Sequence, residues 1–191
     1  MDEENFIEKI KTFGSMPVAK FGHTSTQVSK DKIIIFGGAS GNVDTYSITN
    51  ECFCLDIEQN PETTFTWRKL TNTGTIPCSR AAHSTCKIEE YRMLLFGGAT
   101  GAGGLAPDIL YLFSMGAPNW DKAQWKEVDV VGETPSKRYG HTLTFTSPYV
   151  VLFGGNTGNM NMNDSWSLNI DKQPYFWTKL ECKGDIPSPR V

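Results

Sequence analysis

The chain of 191 residues has no run of eighteen apolar residues, and this excludes a transmembrane helix. It lacks a charge excess of either sign: 18 Lys+Arg stand against 21 Asp+Glu, a formal net charge of -3. A chain so balanced has nothing with which to grip a phosphate backbone in general, so nucleic acid is excluded as the expected partner. No Cys-x-x-Cys pair is present; the five cysteines are irregularly spaced, with Cys52 and Cys54 one residue apart. That pattern points to reduced thiols and a cytoplasmic or nuclear protein. The acidic start, Met1 to Phe6, does not read as a secretory signal. A helical apolar period is missing throughout, and only three histidines occur. What remains is ordinary for a folded chain: 39% hydrophobic and 12% aromatic residues, enough for a packed core.

The strongest positive signal is an internal repeat. Three apolar runs end in a glycine pair: Ile33 to Phe36 before Gly37-Gly38, Met93 to Phe96 before Gly97-Gly98, and Val150 to Phe153 before Gly154-Gly155. A stricter ruler starts at Trp67, Trp125 and Trp177. It meets an aliphatic residue at +3 (Leu70, Val128, Leu180) and glycine at +7 (Gly74, Gly132, Gly184). Proline follows at +10 (Pro77, Pro135, Pro187), arginine at +13 (Arg80, Arg138, Arg190) and histidine at +16 (His83, His141). Laid from Ile7, the same ruler finds Ile10, Gly14, Pro17, Lys20 and His23.

One unit reads as four strands. An aromatic and β-branched stretch such as Phe65–Leu70 is a strand, and Gly-x-x-Pro is turn chemistry. His83 to Cys86 opens the next strand, followed by the apolar run, which shows no alternation and is expected to be buried on both faces. The glycine pair permits close backbone approach. A polar loop of variable length precedes a last, alternating strand. Such a unit cannot bury both faces of its own sheet, so neighbouring units must stack.

A strand ending in Gly-Gly, a later Trp and a Pro-x-x-Arg-x-x-His turn resembles the kelch repeat, whose units are the blades of a β-propeller. The resemblance covers about Ile7 to Arg190 and implies an all-β fold of four-stranded antiparallel blades. Segments such as Pro135-Ser136-Lys137-Arg138-Tyr139-Gly140-His141 and Pro174 to Glu181 are similar to the N-terminal kelch-like domain of plant and protist Ser/Thr protein phosphatases. That family implies a metallophosphatase domain elsewhere, which would bind a pair of divalent metal ions. Its Gly-Asp-x-His-Gly, Gly-Asp-x-Val-Asp-Arg-Gly and Gly-Asn-His-Glu segments do not occur in these 191 residues, so no cofactor is expected in this chain.

On this reading residues 1–191 are part of a larger, six-bladed ring. Residues 20–72, 80–130 and 138–182 form three complete blades, and 183–191 start the next. Residues 6–16 are the outer strand of a blade completed elsewhere. Open blade flanks then predict self-association.

The candidate sites follow from the repeat. His23, His83 and His141 share one repeat position, as do Gly37, Gly97, Gly154 and their neighbours Gly38, Gly98, Gly155, and likewise Trp67, Trp125 and Trp177; all are read as structural. No imidazole is left over for a metal site or a nucleophile's base. Lys20, Arg80, Arg138 and Arg190, one per unit, read either as ties between blades or as a positive rim for an acidic or phosphorylated segment. The variable loops, with Asn156, Asn159, Met160 and Asn161 in the third, are where recognition is expected. The resulting expectation is a non-catalytic protein-interaction and regulatory module. It is the substrate- or regulator-binding domain of a Ser/Thr phosphatase, a stand-alone kelch scaffold or adaptor, or a fragment of a kelch-fold oxidase or hydrolase.

Overall fold

A computed structural model describes residues 9–42, 45–59 and 62–191. The chain begins with the short strand β1 (Thr12–Gly14), followed by β2 (Thr24–Ser29) and β3 (Lys32–Phe36). A two-stranded ribbon, β4 (Ala39–Ser40) with β5 (Ser47–Ile48), leads to β6 (Cys52–Gln59) and β7 (Thr63–Gly74). The next unit contains β8 (Ser84–Glu89), β9 (Arg92–Phe96), the ribbon β10 (Ala99–Gly101) and β11 (Gly104–Leu105), then β12 (Tyr111–Ser114) and β13 (Lys122–Glu127). The third holds β14 (Thr142–Thr146), β15 (Tyr149–Asn156), β16 (Asn161–Asn169) and β17 (Trp177–Leu180).

Each unit is an antiparallel meander: β2-β3-β6-β7, β8-β9-β12-β13 and β14-β15-β16-β17. These are the three blades of an all-β propeller fold. The first strands stand side by side and are cross-linked by hydroxyls. Thr26 Oγ1 lies 2.5 Å from Thr85 Oγ1, and Ser84 Oγ donates to the His141 carbonyl.

The cores lie between blades rather than within them, because each sheet is only one layer thick. The first seam gathers Ile34, Phe36, Cys52, Cys54 and Leu70 against Met93, Leu95, Tyr111, Phe113 and Trp125. The second gathers Cys86, Leu94, Phe96 and Leu110 against Leu143, Leu152, Trp166, Leu168 and Trp177. The apolar run of the second blade therefore faces both seams, and all of Met93–Phe96 is buried. In the third blade Val150 and Leu152 are buried while Val151 and Phe153 are only partly so. Among the described residues no sheet covers that flank, so burial alternates there.

A second link runs around the outside. The outer strand β7 continues past its own blade, and Thr71–Gly74 pairs in parallel with Lys122–Trp125 of β13. β1 uses the same device, with Thr12–Gly14 parallel to Phe65–Trp67 of β7. A parallel bridge from Val130 to Tyr175 repeats it between the second and third blades. The N-terminal strand anticipated over 6–16 lies partly outside the described residues, Ile7 included. Its described portion is this short overlap onto the first blade, with no antiparallel partner of its own.

Gly22, Ala82 and Gly140 occupy one repeat position, immediately before the histidine, with φ of 63°, 53° and 66°. Left-handed backbone costs a residue with a Cβ roughly 1–2 kcal/mol, and glycine's extra freedom when unfolded returns about 0.4–1 kcal/mol of that. Ala82→Gly is therefore expected to stabilise the domain by about 0.5 kcal/mol in urea unfolding. A less stable variant would mean that the methyl's packing outweighs its strain.

Candidate partner-binding face

The repeated cations are the first test of what this face can do. Arg138 is 1% exposed and makes five hydrogen bonds. Nε donates to the Ser136 carbonyl and Nη1 to the Gly154 carbonyl, 3.0 and 2.9 Å away. The Asp164 carboxylate accepts from Nη1 and Nη2 at 2.6 and 2.9 Å, and Ser136 Oγ accepts the fifth. Burial alone would raise the Asp164 carboxyl, but the bonds from Arg138 and Trp166 Nε1 hold it below its usual range. Meanwhile the backbone carbonyl of Arg138 accepts the Gly98 N–H at 2.8 Å. One residue thus ties the second blade through its backbone and the third through its side chain.

Arg80 repeats the tie one seam earlier. Its carbonyl accepts from Gly38 N, and its Nη1 donates to the Gly97 carbonyl at 2.9 Å. The arrangement requires glycine at the receiving end. A Cβ on Gly97, whose φ is +68°, would stand 2.5 Å from the Arg138 carbonyl oxygen and 2.6 Å from the His141 ring.

Arg80 and Arg138, fully enclosed, offer nothing to a partner, which corrects the expectation of a cationic rim at these two positions. The carbonyls of Gly97 and Gly154 accept one bond from Arg80 and Arg138 respectively, and Asp164 balances the charge of Arg138. Lys20, its side chain 4% exposed, lies 3.7 Å from Glu51 and above the Phe53 ring. Burial pulls its pKa down, against the opposing pull of Glu51. Arg190 is exposed, with Nε donating to the Ser188 carbonyl.

The histidines divide in the same way. His83 and His141 are 5% and 4% exposed, edge-on to Phe36 and Phe96 within the two seams. Thr24 Oγ1 lies 2.9 Å from His83 Nε2. Burial, followed by Arg80, lowers the His83 pKa to about 3; burial, followed by Arg138, lowers that of His141 to about 4. Both are neutral wedges between blades at ordinary pH. His23 is exposed at the first blade. Cys52 and Cys54 are buried on the first seam; burial first, then Cys54 for the one and Asp56 for the other, pushes the Cys52 thiol far up and that of Cys54 to about 12. Neither is poised to bind a soft metal. Trp125 and Trp177 are core residues, and Trp67 is half-buried.

The loops that follow the glycine pairs converge at one end of the blades. They frame a depression of about 360 Å³, lined by Phe21, Tyr46, Ile48, Leu105 and Tyr139 with alanines and glycines between them. Among the described residues none that lines it carries a charge. Phe21 and Tyr46 are exposed and meet edge to face, their centroids 6.0 Å apart. In the third loop Asn156 donates to Asn161 Oδ1 and accepts from Gly158 N, so these asparagines close the turn. Asn159 is exposed, and Met160 projects outward, 60% exposed. Sequence reasoning missed the aromatic members. The signal was Phe21, Ala81 and Tyr139, which share the repeat position two before the histidine.

Comparisons agree with this geometry. Adagio protein 3 of Arabidopsis thaliana is 30% identical over 186 residues, covering 93% of this chain and 28% of its own length. The Ser/Thr-protein phosphatase BSL2 of the same plant is 28% identical over 83% of this chain and 16% of its own length. The chain thus spans less than a third of these curated relatives. The solved structure of YjhT superposes with a TM-score of 0.65 at 17% identity, over 89% of this chain and 53% of that one, a likeness of fold. Residues 22–191 match the model of the KLHDC2/KLHL20/DRC7 Kelch-repeats domain. Blades joined by glycine pairs and buried arginines are thereby accounted for over nearly the whole sequence, and the chain belongs to that kelch-repeat family.

Proposed function

We propose that this kelch module binds a protein segment at the mouth formed by the loops after its glycine pairs, and that it serves a Ser/Thr protein phosphatase as its substrate- or regulator-selecting domain. The observation that carries the reading is the contrast between frame and loops. Arg80, Arg138, His83 and His141 are committed to the seams, whereas Tyr46, Ile48 and Leu105 of the variable loops line an open concave surface. The similarity to BSL2 over 83% of the chain supports the phosphatase context. The similarity over 93% of the chain to Adagio protein 3, which is not named as a phosphatase, supports the second reading, a stand-alone kelch scaffold or adaptor. Five free cysteines suit a cytoplasmic or nuclear setting.

The ring is proposed to be completed by further blades. Exposed Phe13, Met16 and Val18 near the first blade and Phe176, Leu180 and Ile186 near the third are apolar surfaces suited to such a contact, or to a second copy of the chain.

Phe21→Asp combined with Tyr46→Asp tests the mouth. Both side chains are exposed, so thermal unfolding is expected to stay unchanged. Recovery of wild-type partners by affinity purification from cells is expected to fall about tenfold or more, since two charges would enter an apolar site. Unchanged recovery would place binding on another face. Sequencing the transcript for the metallophosphatase segments separates the phosphatase reading from the adaptor reading.

A further inference from the structure

The two arginine ties are not equivalent, and the difference falls on a thiol. By strand register Tyr111 matches Trp166, since each pairs with the leucine two residues before its blade's glycine pair. Two residues earlier the third blade carries Asp164, the partner of Arg138, and the second blade carries Ile109. Arg80, 0% exposed, consequently has no carboxylate partner among the described residues. It makes three hydrogen bonds where Arg138 makes five, and its guanidinium carbon is 5.2 Å from the Tyr111 ring centroid. The third of those bonds runs from Nη2 to Cys78 Sγ at 3.2 Å. At the same position the sister units have Ser136 and Ser188, whose hydroxyls accept from their own arginines. Cys78 itself is exposed. A buried cation short of an anion is thus aimed at the sulfur of an exposed cysteine.

We infer that Cys78 is a peroxide-reactive thiol, with Arg80 as the residue that orients its sulfur and receives its oxidised form. Unpaired buried charge is costly, and an adjacent cation favours an anionic sulfur as attacking group. With hydrogen peroxide as co-reactant, the sulfur attacks one peroxide oxygen, an S–O bond forms and the O–O bond breaks. The departing hydroxide takes the proton released by the thiol and leaves as water. Sulfur loses two electrons, peroxide gains them, and Cys78 becomes a sulfenic acid whose oxygen can accept the spare N–H groups of Arg80.

Cys182, exposed as well, supplies an internal comparison, because its contact is the Ser165 hydroxyl and not a cation. The intact chain is treated with substoichiometric hydrogen peroxide, sulfenic acid is trapped with dimedone, and the two sites are quantified by mass spectrometry. Cys78 is expected to be trapped about tenfold faster than Cys182. Ile109→Asp gives Arg80 the carboxylate that Arg138 already has, and is expected to bring the Cys78 rate down to that of Cys182. Equal rates at the two cysteines of the wild-type chain would overturn the proposal, as would an undiminished Cys78 rate in a folded Ile109→Asp variant. The wild-type comparison decides by itself if that variant does not fold.

Discussion

Replacing Arg138 with methionine is expected to cost the domain about 3–5 kcal/mol, the largest effect of any single polar side chain here. The loss is more than the five hydrogen bonds. Asp164 would remain in place, largely buried, with Trp166 Nε1 as its remaining side-chain donor and no cation to offset its charge. The Gly154 carbonyl would lose its guanidinium donor as well. A second substitution separates the pair's worth from the penalty of leaving one charge behind. Arg138→Met with Asp164→Leu removes both charges and fills the space with apolar volume, and is expected to recover most of the loss, since buried ion pairs are close to neutral against hydrophobic replacements. The second blade already lives with Ile109 at the matching position. Urea unfolding of the two variants decides it. If the double variant is as unstable as the single one, the tie itself holds the seam.

The same pair explains what could be read from the sequence and what could not. The ruler through Trp, Gly, Pro, Arg and His marked buried seam residues such as His83, Trp125, His141 and Trp177, because a blade repeats its chemistry when it repeats its shape. It did not say which way the arginines point. Their acceptors are the carbonyls of Gly97 and Gly154, 17 and 16 residues further along, and a carbonyl has no signature in a sequence. Glu51 and Asp164, at one repeat position opposite Lys20 and Arg138, were the legible clue. The mouth was legible only as variable loops. Its aromatic pair depends on Phe21 and Tyr46 coming together from different strands' ends, which spacing alone does not reveal. How the first strand joins the first blade was hidden for a related reason. Its parallel overlap onto β7 is an interblade contact, and a repeat pattern describes one blade at a time.

Acidification is expected to unfold the domain well before its carboxylates are protonated. His83 and His141 hold pKa values of about 3 and about 4 in the folded chain, against an unfolded value near 6.5. Between these limits the unfolded chain binds two protons that the folded chain refuses, so stability must fall as pH falls. Above about pH 6.5 both histidines are neutral in either state and their contribution is flat. Below it each adds a slope of about 1.4 kcal/mol per pH unit, so the two together remove about 4 kcal/mol by pH 5. The ion-paired carboxylates act lower. Asp56 and Asp164 are held below their usual range, and their contribution is lost only as pH drops through and below the unfolded carboxylate values. His141→Leu separates the two sources. Among the described residues neither ring nitrogen of His141 has a hydrogen-bond partner, so leucine sacrifices little, and the slope of unfolding free energy between pH 6.5 and 5 is expected to fall by half. A slope that survives in His141→Leu and in His83→Leu alike would assign the acid sensitivity to groups outside the seams. Its loss in steps, one per histidine, would mean that the wedges between blades are the points at which protons open the seams.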